Sequence, residues 1–459
     1  MVSPSSRVSP GPPAQSVADH VARTLKLGVP VIIMRCGMLL MMTVDTIMTG
    51  RAGGNELAYL AIGFAPHITM MVIGFGLLAG CVILVAQADG AGRREDCGNI
   101  LWTAMVNGLT LGLFWAVFLF NGEAILWLFG QEADLARGGG DVMAMYAWGM
   151  PGMFVFTSCS MFLEGIGRTK PGMIVMIIAN CANIVLNWIL IYGNLGFEAG
   201  GASGAVLATS ITRWLMFGCI FIYILSMADK HAYGLFRPLR RFGQLERRFL
   251  RLGTPMGLSY AFETSSFMFV TMMAGHLGAP QVAAFQAAMN VNAFCFMVAI
   301  GMSTATAVRV GNAVGRRDRA AMATAGWVGT GLIFLLMLPL AAIVALIPES
   351  LAAIYTEDPV IIAIIITGLF VAAFLIAFDG LQAVLVGALR GAADVWPATW
   401  LGLMSFWGVM LPLAWFLGHR LEWGVPGLMW GIVGGIALAT ILLAWRFRVV
   451  SLRDVKPFA

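Results

Sequence analysis

Three acidic side chains, Asp45, Glu263 and Asp379, stand inside long stretches that are otherwise apolar. An acid at mid-bilayer costs about 2.5–3.5 kcal/mol on insertion scales, and such residues mark ion or substrate paths. Two chemistries suit them. A cation leaving water needs hard oxygen ligands, which carboxylates and amides supply. A proton carrier needs a carboxyl group whose proton affinity is raised by desolvation, so that it loads and unloads near neutral pH. Glu263 and Asp379 fit either role, and two like charges held close favour keeping one proton or cation between them. Asn183, Asn187 and Gln286 are the supporting polar candidates. As plain interhelical hydrogen-bond partners they would look the same in sequence.

Depth along a helix tests which of these groups can meet. Glu263 lies roughly 17 Å from the start of its apolar run at Leu252, and Asp379 roughly 15 Å from Leu389 on the same side. They share a level. Asp45 comes out roughly 27 Å from Leu27, Asn187 roughly 24 Å from Pro171 and Asn183 roughly 18 Å. This second level, for the coupling acid Asp45 and its amides, is nearer the opposite surface.

The elements that must position these groups are helices. With 59% hydrophobic and 11% charged residues, the chain is far from a soluble composition. Twelve spans emerge, roughly 26–50, 57–86, 98–121, 141–163, 171–193, 204–227, 252–276, 281–311, 321–346, 360–389, 397–418 and 425–445. Leu27-Gly28-Val29-Pro30 recurs as Leu252-Gly253-Thr254-Pro255. Five glycines (28, 50, 53, 76, 90) fall on glycines at 253, 275, 278, 301 and 315, where chance gives about one. Six spans per half start both halves on the same side, so the repeat is parallel. The fold class is an all-α membrane protein: twelve transmembrane helices in two six-helix lobes related by an internal parallel repeat.

Charge gives the orientation. Of 28 Lys and Arg, 23 fall on one side of the membrane, three on the other, and two, Arg35 and Arg213, inside helices. Basic loops face the cytoplasm. The expected organisation is a flexible cytoplasmic tail (1–25), an N-lobe (26–227), a basic cytoplasmic linker (228–251), a C-lobe (252–445) and a cytoplasmic tail (446–459). Both termini are expected in the cytoplasm, with the chain multi-pass in the cell's inner (plasma) membrane and partnered by the lipid bilayer.

Other classes are disfavoured. The basic balance is a topology signal rather than a nucleic-acid footprint. Seven cysteines lie in or at the ends of apolar helices without a Cys-x-x-Cys pair, and read as small buried residues. The first twenty residues lack the apolar core of a cleavable signal. No Walker loop, Gly-x-Ser-x-Gly or His-Glu-x-x-His occurs. The chain is therefore read as no enzyme and without a cofactor. No metal site is expected beyond a sodium ion shared by Glu263 and Asp379.

Several stretches resemble the multidrug and toxic compound extrusion (MATE) family. They are Val44-Asp45-Thr46-Ile47-Met48-Thr49-Gly50, Gly165-Ile166-Gly167-Arg168-Thr169-Lys170-Pro171, Asn183-Ile184-Val185-Leu186-Asn187, Val308-Arg309-Val310-Gly311, and Asp379-Gly380-Leu381-Gln382 running into Gly387-Ala388-Leu389-Arg390-Gly391. Glu263 with Asp379 resembles the bacterial NorM-type branch. Glu164 departs from the pattern, standing where many relatives carry arginine, and Leu375 stands where some sodium-coupled relatives place a tyrosine. The resemblance implies a monomeric secondary active antiporter that exports lipophilic organic cations in exchange for Na+ or H+, with two lobes giving alternating access. The competing readings are a lipid-linked precursor flippase of the same superfamily and, further off, a channel or a membrane-embedded enzyme.

Overall fold

The computed structural model describes residues 17–237 and 242–454. Twelve long helices run through it: α1 Val17–Ala52, α2 Gly54–Gly90, α3 Arg94–Phe120, α4 Ala133–Gly165, α5 Lys170–Tyr192 and α6 Gly201–Ser226, then α7 Phe242–His276, α8 Ala279–Gly315, α9 Arg319–Leu346, α10 Pro359–Gly391, α11 Val395–Arg420 and α12 Gly424–Ser451. No strand occurs among the described residues. Asp318 and Asp358 cap α9 and α10 by accepting from Ala321 N at 2.9 Å and Val360 N at 2.8 Å. A left-handed Gly193 closes α5. Outer faces carry exposed Phe114, Val117, Trp148 and Ile177, as a helix facing lipid rather than water requires.

Eleven of the twelve helices are long and apolar enough to cross a membrane on composition alone. The twelfth is α7, 35 residues long, whose apolar run is thinned by Ser259, Glu263, Thr264, Ser265 and Ser266. The least apolar span is thus the one that carries Glu263.

The duplication is visible in packing. Buried side chains separate into one cluster for the first six helices and two for the last six, with α7 residues Phe249, Leu252 and Met256 crossing into the first. Between the lobes, α1 packs on α8 and α7 packs on α2, with α2 also against α8. The close approaches come in mates 225 positions apart. Gly28 meets Met302 and Gly253 meets Leu77; Gly76 meets Gly257 and Gly301 meets Ile32; Gly90 meets Asn312 and Gly315 meets Gln87. A side chain at Gly76 would place its Cβ 2.7 Å from the Gly257 Cα, so only glycine lets α2 and α7 touch there.

Helix ends differ from the spans read in sequence. α1 begins at Val17, so residues 17–25 are helical rather than tail, and α7 begins at Phe242, so residues 242–251 are helix rather than linker. Both extensions carry charge, Asp19 and Arg23 in one and Arg247 and Arg248 in the other. An apolar-run criterion stops at such charges although the buried register continues through His20 and Thr24, and through Phe249. Likewise α12 continues to Ser451, past the expected end at 445. The rest of the two tails and of the linker, residues 1–16, 238–241 and 455–459, lies outside the described residues. All seven cysteines are free; Cys81, Cys97 and Cys159 are buried, but Cys36 and Cys181 are exposed on helix flanks, contrary to the uniform burial expected.

Candidate functional site

Between the lobes lies a cavity of about 470 Å³. α7 brings Glu263 to it, α8 brings Asn292, and α10 brings Asp379. Asn292 Nδ2 donates to Asp379 Oδ2 at 3.1 Å, with both side chains buried. Glu263 lines the same space. The hydroxyls around Glu263 satisfy their own helix: Ser266 donates to the Glu263 carbonyl at 2.7 Å and Ser265 to that of Phe262 at 3.0 Å. The Glu263 carboxylate shares this wall of the cavity with Ser259, Tyr260 and Thr264 of the same helix. Much of the remaining wall is soft and apolar, with Met38, Met71, Met161, Phe75 and Phe296.

The N-lobe side of this cavity carries a second polar pair. Arg35 Nη2 lies 3.9 Å from Glu164 Oε1, and Ser160 donates to the same oxygen at 3.1 Å. Across the cavity Arg390 donates to Tyr260 Oη at 3.0 Å and sits 4.8 Å over its ring. Arg35 and Tyr260 are repeat mates, and Glu164 and Arg390 occupy matching places in the two aligned turns. One position pair thus holds an ion pair in one lobe and a phenol–cation contact in the other.

A second constellation lies inside the N-lobe. Asp45 Oδ1 accepts from Asn187 Nδ2 at 2.7 Å, and Asp45 Oδ2 accepts from Thr209 Oγ1 at 2.6 Å. Asn187 also donates to Asn183 Oδ1 at 3.1 Å, and Asn183 donates to Thr209 Oγ1 at 3.2 Å. All four side chains are buried, on α1, α5 and α6. Asp45 and Thr209 line a neighbouring cavity of about 570 Å³ that reaches Ile47 and Leu57 near the ends of α1 and α2. Its wall includes Arg213, whose Nη2 lies 2.9 Å from His67 Nε2; the His67 ring stacks on Tyr146 with centroids 3.9 Å apart. Arg213 is therefore held by an imidazole and an aromatic face rather than by Asp45.

Of the residues singled out in sequence, the structure brings Glu263 and Asp379 to one cavity and Asp45, Asn183 and Asn187 into one hydrogen-bonded group. It does not bring Gln286 to either. That side chain is exposed on α8 and lines neither cavity. Asn292, six residues later on the same helix, stands at Asp379 instead. Thr209 was not singled out either, because a lone threonine in an apolar helix is ordinary. A signal existed for Asn292: it is the repeat mate of His67, and both are buried polar side chains. No cluster of His, Cys, Asp and Glu suited to a resident metal occurs among the described residues.

Comparison with known proteins agrees with the duplicated architecture. The MatE family model matches twice, over residues 30–189 and 255–416. The chain is 33% identical over 450 residues to the probable multidrug resistance protein NorM of Caulobacter vibrioides, covering 97% of this chain and 95% of that protein. It is 29% identical over 433 residues to the multidrug resistance protein NorM of Aliivibrio fischeri, covering 93% and 94%. Among solved structures, the eukaryotic MATE transporter AtDTX14 superposes with a TM-score of 0.87 at 19% identity, covering 96% of this chain and 98% of that one. An outward-facing multidrug resistance MATE family transporter of the MOP superfamily gives 0.87 at 22% identity, covering 94% and 96%. A doubled family match, near full-length relatives and a shared twelve-helix fold lead to one conclusion: this chain belongs to the MATE family, in the company of the bacterial NorM transporters, and is a multi-pass membrane transporter rather than an enzyme.

Proposed function

We propose that the protein is a secondary active multidrug exporter that moves lipophilic organic cations out of the cell in exchange for Na+ or H+. The observation that carries this reading is the meeting of Glu263, Asp379 and Asn292 in one methionine- and phenylalanine-lined cavity between the lobes. Anionic oxygens attract the cation, and adaptable apolar walls accept varied drug shapes. The names of the NorM relatives support drugs as cargo. In this mechanism the coupling ion and the drug compete for the two carboxylates. An ion entering with one charge at 100 mV contributes about 2.3 kcal/mol to expulsion.

The basic face is read as cytoplasmic, with both chain ends on that side, and the membrane as the bacterial inner membrane. Hydrogen bonds joining the lobes across the seam support a state closed toward that face. Gln87 donates to the Gly391 carbonyl at 3.1 Å, Arg309 to the His20 carbonyl at 2.7 Å and to Thr24 at 2.6 Å, and Asn107 to Glu246 at 2.8 Å. The flippase alternative calls for a strongly basic central groove. Here Arg35 and Arg390 face Glu164, Glu263 and Asp379, a balance that favours cationic cargo.

Purified protein in liposomes loaded with ethidium tests the exchange, first under an imposed sodium gradient and then under an imposed proton gradient. Efflux accelerated by one gradient is the expected result and names the ion. Efflux indifferent to both removes the antiport reading.

A further inference from the structure

A third cavity, of about 860 Å³, is at neither of these places. It is a groove at the basic end of the seam between the lobes. The N-lobe contributes α1 with Arg23 and Lys26, the turn from α4 to α5 with Arg168 and Lys170, and one flank of α6; the C-lobe contributes α8 with Arg309 and Arg316 and the start of α9. Its rim is cationic. Arg168 pairs with Asp229 at 2.5 Å, but Arg23, Lys26, Lys170, Arg309 and Arg316 make no ion pair with a carboxylate among the described residues. Its floor is apolar and runs inward along the helices through Leu27, Val175, Ile178 and Ala325. Ile174 and Ile178 are about half exposed at 51% and 49%, on the flank that faces lipid.

The internal repeat supplies a control. The mates of Arg23 and Lys26 are basic, Arg248 and Arg251, so those charges belong to the duplicated frame. The other four do not: Arg309 matches Leu84, Arg316 matches Ala91, Lys170 matches Trp396 and Arg168 matches Asp394. Asp394 is itself neutralised by Arg446, through bonds of 2.6 and 2.8 Å. General attraction of basic loops to one side of a membrane would load both seams alike. The excess sits on one.

We propose that this groove binds one anionic glycerophospholipid from the leaflet at the basic face, with its phosphate held by Lys170, Arg309 and Arg316 and an acyl chain along the apolar floor. Guanidinium and ammonium groups that no carboxylate neutralises are the natural partners of a phosphate; Arg309 keeps its full charge although its Nη1 donates to the His20 carbonyl and Thr24, and basic pockets between membrane helices at a headgroup level have this recognition chemistry. The phosphate would bridge Lys170 of the N-lobe to Arg309 and Arg316 of the C-lobe. The lipid therefore binds the state in which the seam is closed at this face better than the one in which it is open, and shifts the equilibrium by that difference. The proposal requires only that the chain spans a bilayer, and it holds whichever ion drives transport.

Native mass spectrometry of the full chain, titrated with phosphatidylglycerol or with phosphatidylcholine of the same acyl chains, measures occupancy directly. One tightly bound phosphatidylglycerol, with phosphatidylcholine weaker by tenfold or more, is expected. Lys170→Gln combined with Arg316→Gln, both exposed positions, should weaken the phosphatidylglycerol by roughly ten- to thirty-fold. Arg247→Gln combined with Arg248→Gln removes the same charge beside the other seam and should leave occupancy unchanged. Equal binding of the two lipids, or equal loss in both double variants, overturns the site. Displacement of the lipid by millimolar inorganic phosphate overturns it too, because the groove would then hold a soluble anion without an acyl chain. Should the groove variant unfold, phosphatidylcholine competing on equal terms with phosphatidylglycerol for the unaltered chain is sufficient to reject the proposal.

Discussion

At the scale of single residues, the two acid centres differ in how their charge is met. Asp45 has a donor on each carboxylate oxygen, whereas Asp379 has Asn292 on one and Glu263 is turned to the cavity. Glu263→Gln and Asp379→Asn keep shape and remove charge, so ethidium efflux from intact cells should fall to the level of cells lacking the transporter in either variant. Wild-type efflux from both would take these residues out of the mechanism. Thr209→Val should act through Asp45: losing a donor to a buried carboxylate costs about 1–3 kcal/mol, read as a several-fold loss of efflux that Thr209→Ser restores. The acids were legible in sequence because charge inside an apolar run is conspicuous. Thr209 and Asn292 were not, since a neutral polar side chain in a membrane helix is common and its meaning depends on what faces it across the bundle. Gln286 misled for the same reason, being polar on the right helix but on its exposed face.

At the scale of elements, the twelve long helices were legible from their apolar runs, whereas the short helices Gly122–Leu128 and Pro348–Ala352 were not, and the partners of each helix were legible only through the repeat. The 225-residue register predicts mates but does not say which helices touch. Packing shows that α1 meets α8 and α7 meets α2. That seam depends on absent side chains, so Gly76→Val should force α2 and α7 apart. Overpacking of this kind costs about 1–3 kcal/mol, and the melting temperature in detergent should drop by several degrees while Gly275→Val, at a site with open space around its backbone, stays near wild type. The helical extensions 17–25 and 242–251 escaped the sequence reading because a hydrophobic window registers only what the hydrocarbon layer demands. A helix that continues into the headgroup layer looks like a charged loop.

At the scale of the whole molecule, the frame is duplicated and the chemistry is not. Asp45 has Val270 as its mate and Glu263 has Met38, so each lobe carries an acid where the other carries an apolar residue. Two lobes joined at the basic half and separated by cavities elsewhere should rock as bodies. Spin labels at Leu57 and Asn290, on opposite walls of the second cavity, should gain a shorter-distance population when the cycle is driven by drug and ion; a single unchanged distance under all conditions would rule such rocking out. The uneven composition of α7 bears on how the protein is made. A segment holding Glu263 among four hydroxyl residues enters lipid poorly by itself, and its earliest-synthesised neighbour is α2, already in place when α7 leaves the ribosome. Glycosylation mapping should accordingly find α7 integrated less often in isolation than behind the first six helices. The older half of the nascent chain then serves the younger as a template, and deleting the first six helices would strand α7.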